Sequence, residues 1–70
     1  MLFIVDNDYT VISNDIEVLM EIREDSESGL TTFNWELFNL GDIFYNNDCE
    51  AFEVRSINHK LQTIELQKIQ

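Results

Sequence analysis

Apolar and polar residues alternate along much of the chain, a period typical of strands with one buried face. The run "IEVLMEIR", residues 16–23, is the most informative test of this pattern. Alternation places four of its apolar residues on one face of a strand: Ile16, Val18, Met20 and Ile22. On a helix the apolar residues would spread around most of the circumference, although Ser13, Asn14 and Glu17 fit a helix cap and capping box. The pattern therefore favours a strand.

The next run, "LTTFNWELF" at residues 30–38, alternates as well. A short helix near residues 32–39 stays open as the alternative for this part of the chain. The two runs are joined by "EDSESG", residues 24–29, in which Gly29 can adopt the positive φ that a tight turn requires. This order predicts a β-hairpin whose tip is the acidic stretch.

Alternation continues in the C-terminal half, where "AFEVRSI" (51–57) and "QTIELQ" (62–67) flank the turn "NHK". Further short strands are predicted at residues 2–5, 9–13 and 43–45. Proline is absent, and no stretch has the composition of a linker. The sequence predicts a single all-β domain over residues 1–70, built as a small five- to six-stranded antiparallel meander or barrel.

The segment "GDIFYNNDCEAFEVRSINHKLQTIELQKI", residues 41–69, resembles the terminal strands of small SH3-like β-barrels. In those domains a Gly-Asp bend enters a strand and a tight hairpin closes the barrel. The resemblance covers less than half of the chain. It implies a binding scaffold and transfers no functional residue to this sequence.

Aromatic side chains are the main material for a core in a chain of this size. Four of them are expected to point inward: Phe33, Trp35, Phe44 and Phe52. Leu19, Phe38 and Tyr45 lie on the polar side of their alternating runs. They form either an exposed apolar patch or a second buried face, and the pattern leaves both alternatives open.

The charge of the chain is its outlying property. Fourteen acids against four bases give a net charge of −10, and thirteen of the acids lie in residues 1–54. This exceeds the roughly 2 to 8 units that keep a small domain soluble. Repulsion from phosphates argues against direct binding to nucleic acid or to an anionic membrane. The apolar run at residues 2–5 is too short to span a membrane, and a cytoplasmic location is expected.

One stretch has the spacing of a calcium-binding loop. Oxygen-bearing residues occupy its positions one, three, five, nine and twelve: Asp6, Asp8, Thr10, Asn14 and Glu17. Position six is Val11, where that loop requires glycine for its sharp bend, and no amphipathic helices flank it. No metal or other cofactor is therefore expected.

Catalytic arrangements are weak in this sequence. Cys49 and His59 could form a nucleophile and base, but no third residue is placed to orient them, and a buried or half-buried structural thiol with a surface histidine is favoured. Asp42, Asp48 and Glu50 are more typical of turns than of a paired acid and base, because a chain this small can hardly enclose a cleft. We expect a protein that is not an enzyme.

The remaining signal is the set of carboxylates. By size, charge and lack of catalytic residues, the chain is similar to phage-encoded DNA-mimic inhibitors, including anti-restriction and anti-CRISPR proteins. Carboxylates two residues apart on a strand lie about 6.5 to 7 Å from each other, close to the spacing of successive phosphates. The expected partner-binding residues are Glu17, Glu21, Glu24, Asp25, Glu27, Glu36, Asp48 and Glu50.

The partner implied by these carboxylates is a basic protein surface, most simply the groove of a nucleic-acid-handling protein. One alternative is an immunity or antitoxin-like protein that neutralises a basic toxin. Another is a structural assembly subunit that pairs through its edge strands. We expect a monomer or weak dimer, since self-association must overcome the repulsion between two acidic chains.

Overall fold

In the part of the chain that the structure describes, there are five strands and two short helical segments. The computed structural model describes residues 2–46 and 48–69. Its elements are β1 (Leu2–Asp6), β2 (Tyr9–Ser13), α1 (Ile16–Glu27), a 3-10 turn (Trp35–Leu37), β3 (Ile43–Tyr45), β4 (Ala51–Asn58) and β5 (Thr63–Lys68). The predicted small, mostly β fold with five strands is confirmed, and the 3-10 turn lies within residues 32–39, where the alternative of a short helix was left open.

The strands form one sheet in the order β1-β2-β5-β4-β3. Neighbouring strands are antiparallel, except that β2 and β5 run parallel. The prediction of a purely antiparallel meander is therefore wrong. After β2 the chain passes through α1 to β3 at the far edge of the sheet and returns through β4 to β5, which lies beside β2 and parallel to it. The sheet is open, with β1 and β3 at its two edges, and is not closed into a barrel.

The strand predicted at residues 16–23 and the hairpin tip at 24–29 are both wrong, because these residues form α1. The helix buries Val18, Leu19 and Ile22, which share one helical face, and leaves Ile16 and Met20 exposed. By coincidence, the exposed Ile16 and Met20 complete an alternating apolar pattern with the buried Val18 and Ile22, and this pattern led to the prediction of a strand. Propensity also agrees with the helix, since Glu, Leu and Met are good helix formers.

The helix begins at a side-chain cap that the sequence pattern placed one residue too early. Asp15 is the N-cap, and its Oδ1 accepts a hydrogen bond from the backbone N–H of Glu17 at 3.0 Å. Ser13 supports this cap, because its Oγ accepts from the backbone N–H of Asp15 at 3.1 Å. The cap holds α1 at the end of β2.

The core lies between α1 and one face of the sheet. The helix packs against β1, β2 and β5, so that its buried residues join an apolar cluster with Val11, Ile64 and Leu66. Four predicted core aromatics extend this cluster: Phe33, Trp35 and Phe52 are buried and Phe44 is half-buried. Of the three residues left open, Leu19 is buried, Phe38 packs half-buried against the cluster, and Tyr45 is exposed.

Asp6 and His59 fasten α1 and the segment after it to the sheet. The carboxylate of Asp6 accepts a hydrogen bond from Ser26 Oγ at 2.6 Å and another from Trp35 Nε1 at 2.8 Å. The ring of His59 lies 2.6 Å from the Tyr9 hydroxyl through Nδ1 and 2.8 Å from the Phe38 carbonyl oxygen through Nε2. Because a carbonyl only accepts, Nε2 carries a proton there.

Candidate functional site

A row of carboxylates runs along one side of α1, exposed at Glu17 and Glu24 and half-buried at Glu21. Glu17, Glu21 and Glu24 are spaced by four and three residues, which brings them onto one side of the helix. Their positions along the helix axis differ by about 6 Å and about 4.5 Å. These carboxylates were expected to have the spacing of strand residues and instead have the spacing of helix residues. The distances between them remain comparable to those between successive phosphates.

A second group of acids comes from the loop before β4. Asn46 builds this loop, since its Oδ1 accepts from the backbone N–H groups of Asp48 at 3.0 Å and Glu50 at 2.9 Å. Its side-chain amide also donates to Glu50 Oε1 at 3.0 Å. Cys49 between them has a φ of 63°, so the chain turns sharply there. These bonds hold Glu50 in place beside α1.

The two groups meet at Glu21 and Glu50, whose carboxyl groups hydrogen-bond each other. Burial, followed by this hydrogen bond and the charge of Glu50, raises the pKa of Glu21 to about 7. The hydrogen bond from Lys68, followed by those from Asn46 and Glu21, lowers the pKa of Glu50 to about 2. The pair therefore retains one proton at pH values where an isolated glutamate has lost it, and the raised pKa is that of Glu21.

Lys68 of β5 completes the cluster from the other side. Its ammonium group forms an ion pair with Glu50 Oε2, and this contact raises the pKa of the lysine. Glu17 and Glu21 add to that effect, while Asp48 helps to raise the pKa of Glu21. Three of the eight predicted site residues, Glu17, Glu21 and Glu50, thus act on one lysine, and a fourth, Asp48, acts on Glu21. We call Glu17, Glu21, Glu24, Asp48 and Glu50 the acidic surface.

The other predicted site residues have different settings. Glu27 lies on the neighbouring side of α1 and pairs with Arg23 at 3.9 Å, one helical turn away. Asp25 is half-buried, and no donor among the described residues hydrogen-bonds its buried Oδ2. Glu36 is exposed in the 3-10 turn. These three residues are not part of the acidic surface as defined here.

Sequence reasoning missed Lys68 and Asn46. Lys68 could not be identified, because nothing in the sequence pairs β5 with the loop before β4. The one available signal was that Lys68 is among only four basic residues in a chain with fourteen acids, so that a carboxylate partner was to be expected. Asn46 gave a turn signal without indicating which carboxylate it would hold.

A small polar cleft adjoins the acidic surface. It has a volume of about 250 Å³ and is lined by Ser13, Asn14, Asp15, Glu65, Leu66, Gln67 and Lys68. It lies where β2 and β5 diverge, since their pairing extends only from Thr10 to Ile12 on β2. The cleft is smaller than the pockets that hold most small ligands.

The structure separates the residues of the calcium-like spacing. Asp6 is bonded to Ser26 and Trp35, Asp8 lies in the turn after β1, and Glu17 lies on α1. Within residues 2–46 and 48–69, no three His, Cys, Asp or Glu side chains are grouped in a way that could hold a metal ion.

Cys49 is exposed, which corrects the expectation of a buried or half-buried thiol. The reason is its place in the turn built by Asn46, where its backbone N–H donates to the Asn46 carbonyl oxygen at 3.1 Å. The exposed His59 meets Tyr9 and Phe38 through its two ring nitrogens. Both nitrogens are therefore engaged away from the thiol.

No model of a known family matches this chain, and no curated protein or solved structure matches it. Among the helices of the described residues, none combines the length and the apolar character needed to cross a membrane.

Proposed function

We propose that the protein is an acidic binding module that inhibits a nucleic-acid-handling protein by occupying its basic groove. The observation that carries this proposal is the row of carboxylates on α1 continued by the loop before β4. Within the described residues the three ion pairs use Glu27, Glu53 and Glu50. Glu17, Glu24 and Asp48 form no ion pair there, so much of their charge is available to an approaching molecule.

The dimensions of the acidic surface suit a groove that normally holds a nucleic-acid strand. An α-helix with its side chains is about 10 to 12 Å in diameter. A protein groove that tracks a phosphate backbone presents lysine and arginine side chains along its length. A helix with carboxylates at successive turns offers such residues a series of negative charges on a rigid support. The expected partner therefore binds this protein and nucleic acid at the same place.

The charge also favours rapid association with a basic partner. Opposite fields steer two proteins together and raise the association rate, and the effect weakens as salt increases. The interface itself would be polar at its rim, where Glu17 and Glu24 are exposed. The neighbouring Met20, which is 54% exposed, supplies an apolar contact on the same helix. Charge would thus bring the partner in, and a few contacts of this kind would retain it.

The test compares two variants that have lost the same charge. The first neutralises the acidic surface by Glu17→Gln, Glu24→Gln and Asp48→Asn. The control removes three carboxylates elsewhere, by Asp8→Asn, Glu53→Gln and Glu65→Gln; Asp8 lies in the β1–β2 turn and the two glutamates on the sheet face opposite α1. Immobilised parent and variants are used to capture proteins from cell lysate, followed by mass spectrometry and by elution with duplex DNA.

The proposal predicts that the parent and the control retain the same protein and that the acidic-surface variant fails to retain it. Duplex DNA is expected to elute this protein from the parent. Equal capture by both variants would contradict the role of this surface. A retained protein that DNA fails to elute would contradict the mimicry of nucleic acid.

A role as an immunity or antitoxin-like protein is supported by the same charge. The identity of the captured protein distinguishes this role from the first, because the immobilised parent would then retain a toxin. A role as an assembly subunit is favoured by a different observation, the open sheet edge at β1.

A further inference from the structure

The first strand is an open sheet edge with few of the features that usually protect such edges. Among the described residues β1 pairs with β2 alone, and Leu2 to Val5 carry no charge, no proline and no bulge. The one charged residue of β1, Asp6, faces the helix side, where Ser26 and Trp35 hydrogen-bond its carboxylate. The side chains of Phe3 and Val5 are 63% and 67% exposed. The opposite edge, β3, is only three residues long. β1 is therefore the edge best able to accept another strand.

The direction of the free backbone groups follows from the β1–β2 hairpin. Asn7 and Asp8 form a two-residue turn, both with positive φ, and Asp6 pairs with Tyr9 across it. In such a hairpin the pair next to the turn exchanges hydrogen bonds and the next pair does not, in alternation. The N–H and C=O groups of Phe3 and Val5 consequently point away from β2.

A contact on the other side of β2 agrees with this alternation. Thr10 is opposite Val5, and its backbone N–H donates to the carbonyl oxygen of Gln62 at 2.8 Å, on the β5 side. The backbone of Thr10 thus turns away from β1, as a non-bonded pair requires. Its partner Val5 must then present its own N–H and C=O to the open edge.

We propose that β1 pairs with β1 of a second copy, antiparallel and around a two-fold axis at Ile4. Phe3 then lies opposite Val5 of the second copy, and each exchanges both backbone hydrogen bonds with the other. The symmetry repeats this pair, so that four backbone hydrogen bonds join two five-stranded sheets. Phe3 and Val5 of both copies meet on the outer face of the sheet, and the two Ile4 side chains meet on the inner face.

A second copy fits this edge because the edge is complementary to itself. The groups offered by Phe3 match those of Val5 in the register just described, and no charge between Leu2 and Val5 selects a strand of opposite sign.

The size and charge of the chain make this dimer weak. A five-residue strand offers an edge of roughly 17 Å, so the interface falls below the roughly 1,200 Å² of standard complexes. Each copy carries a net charge of −10, and this repulsion is screened by salt. We expect a dissociation constant on the order of 100 μM at high salt and a larger one at low salt.

The test measures molecular mass by analytical ultracentrifugation from about 5 μM to about 1 mM protein, in about 50 and about 500 mM salt. The parent is expected to move toward twice the 8.3 kDa of one chain as concentration rises, and more so at the higher salt. Amide hydrogen exchange at Phe3 and Val5 is expected to slow with dimer formation.

Two edge variants and one control make the test specific. Val5→Lys places a charge at the edge, and Val5→Pro removes the outward N–H without changing net charge; both are expected to stay monomeric. Leu61→Lys adds the same charge in the exposed β4–β5 turn and is expected to dimerise like the parent. Circular dichroism verifies that each variant is folded, and the two Val5 variants substitute for each other if one is not.

A parent that stays monomeric at the highest concentration and salt would overturn the proposal. So would a Leu61→Lys variant as impaired as Val5→Lys, or exchange protection at β3 instead of β1. If the parent is monomeric but Val5→Lys loses a protein captured from lysate, the edge accepts a strand of that partner and self-pairing is wrong.

Discussion

The carboxyl group of Glu21 on α1 shares a hydrogen bond with the carboxylate of Glu50, directly before β4. Two carboxyl groups can bond in this way only when one of them is protonated. Burial holds the pKa of Glu21 at about 7, and no donor among the described residues hydrogen-bonds its buried Oε2. The proton on Glu21 therefore contributes to the attachment of the loop to the helix, and its loss removes that contribution.

We expect stability to fall as pH rises from 4.5 to about 7, the interval over which Glu21 is protonated only in the folded state. Its raised pKa means that its contribution is complete below 4.5 and lost above about 7. Glu50 has the opposite sign: its pKa of about 2 gives a contribution that is present above 4.5 and lost toward 2. The combined contribution of Glu21 and Glu50 to the free energy of unfolding, measured with urea, should therefore be highest near pH 4.5.

Glu21→Gln should abolish the fall in stability on the high-pH side of that profile, because the glutamine side-chain amide donates a hydrogen bond to Glu50 at any pH. At about pH 8 the variant is expected to be more stable than the parent by about 1 kcal/mol, after allowance for solvent screening. Near pH 4.5 the two should be alike. Glu17→Gln, one helical turn earlier, is the control and should keep the slope of the parent. Parallel profiles for parent and Glu21→Gln would exclude this assignment of the proton.

Asp6→Asn should destabilise the fold by about 1 to 3 kcal/mol, because only one of its two hydrogen-bond donors keeps an acceptor. The carboxylate accepts from Ser26 and from Trp35, whose indole N–H can only donate and whose ring is fully buried. The fluorescence of Trp35, the only tryptophan, reports unfolding directly. Asp8→Asn in the exposed turn is the control, with an expected change below about 0.5 kcal/mol. A similar small change for Asp6→Asn would show that this contact is dispensable.

Asp15→Ala should cost about 0.5 to 2 kcal/mol by removing the N-cap of α1. Asp15→Asn keeps an oxygen in the same place and should cost little. Far-ultraviolet circular dichroism and urea unfolding check both variants. An Asp15→Ala variant as stable as the parent would mean that tertiary packing alone fixes where α1 begins.

The sequence predicted most strands because each buries one face against the core. Residues such as Phe52, Val54, Ile64 and Leu66 are buried at every second position, and this pattern is visible without a structure. For α1 the pattern was ambiguous. Val18 and Ile22 fit both a strand face and a helix face, and only the burial of Leu19 separates the two, which depends on the tertiary structure.

The sequence predicted which carboxylates form the acidic surface better than it predicted how they are arranged. Glu17, Glu21, Asp48 and Glu50 were identified by charge, but their convergence on Lys68 results from contacts between α1, the β4 loop and β5. The parallel pairing of β2 with β5 creates those contacts, and nothing in the alternation of residues specifies it. The helix also changes the spacing of the carboxylates from that of a strand to that of successive turns.

The acidic-surface variant (Glu17→Gln, Glu24→Gln and Asp48→Asn) should bind a captured partner more weakly than the parent. Each exposed pair contributes about 0.2 to 1 kcal/mol, and a desolvated one contributes more. The association rate should fall more than the dissociation rate rises, because exposed charges act mainly by steering. Surface plasmon resonance at several salt concentrations measures both rates.

Salt distinguishes steering from direct contact in that measurement. The difference between variant and parent should shrink from about 50 to about 500 mM salt, where the Debye length falls to a few ångströms. The sheet-face control (Asp8→Asn, Glu53→Gln and Glu65→Gln) has lost the same charge and should bind nearly as the parent does. An equal loss for both variants would mean that net charge alone attracts the partner. Unchanged binding by the acidic-surface variant at low salt would exclude this surface and leave Glu27 and Glu36 as the carboxylates to test next.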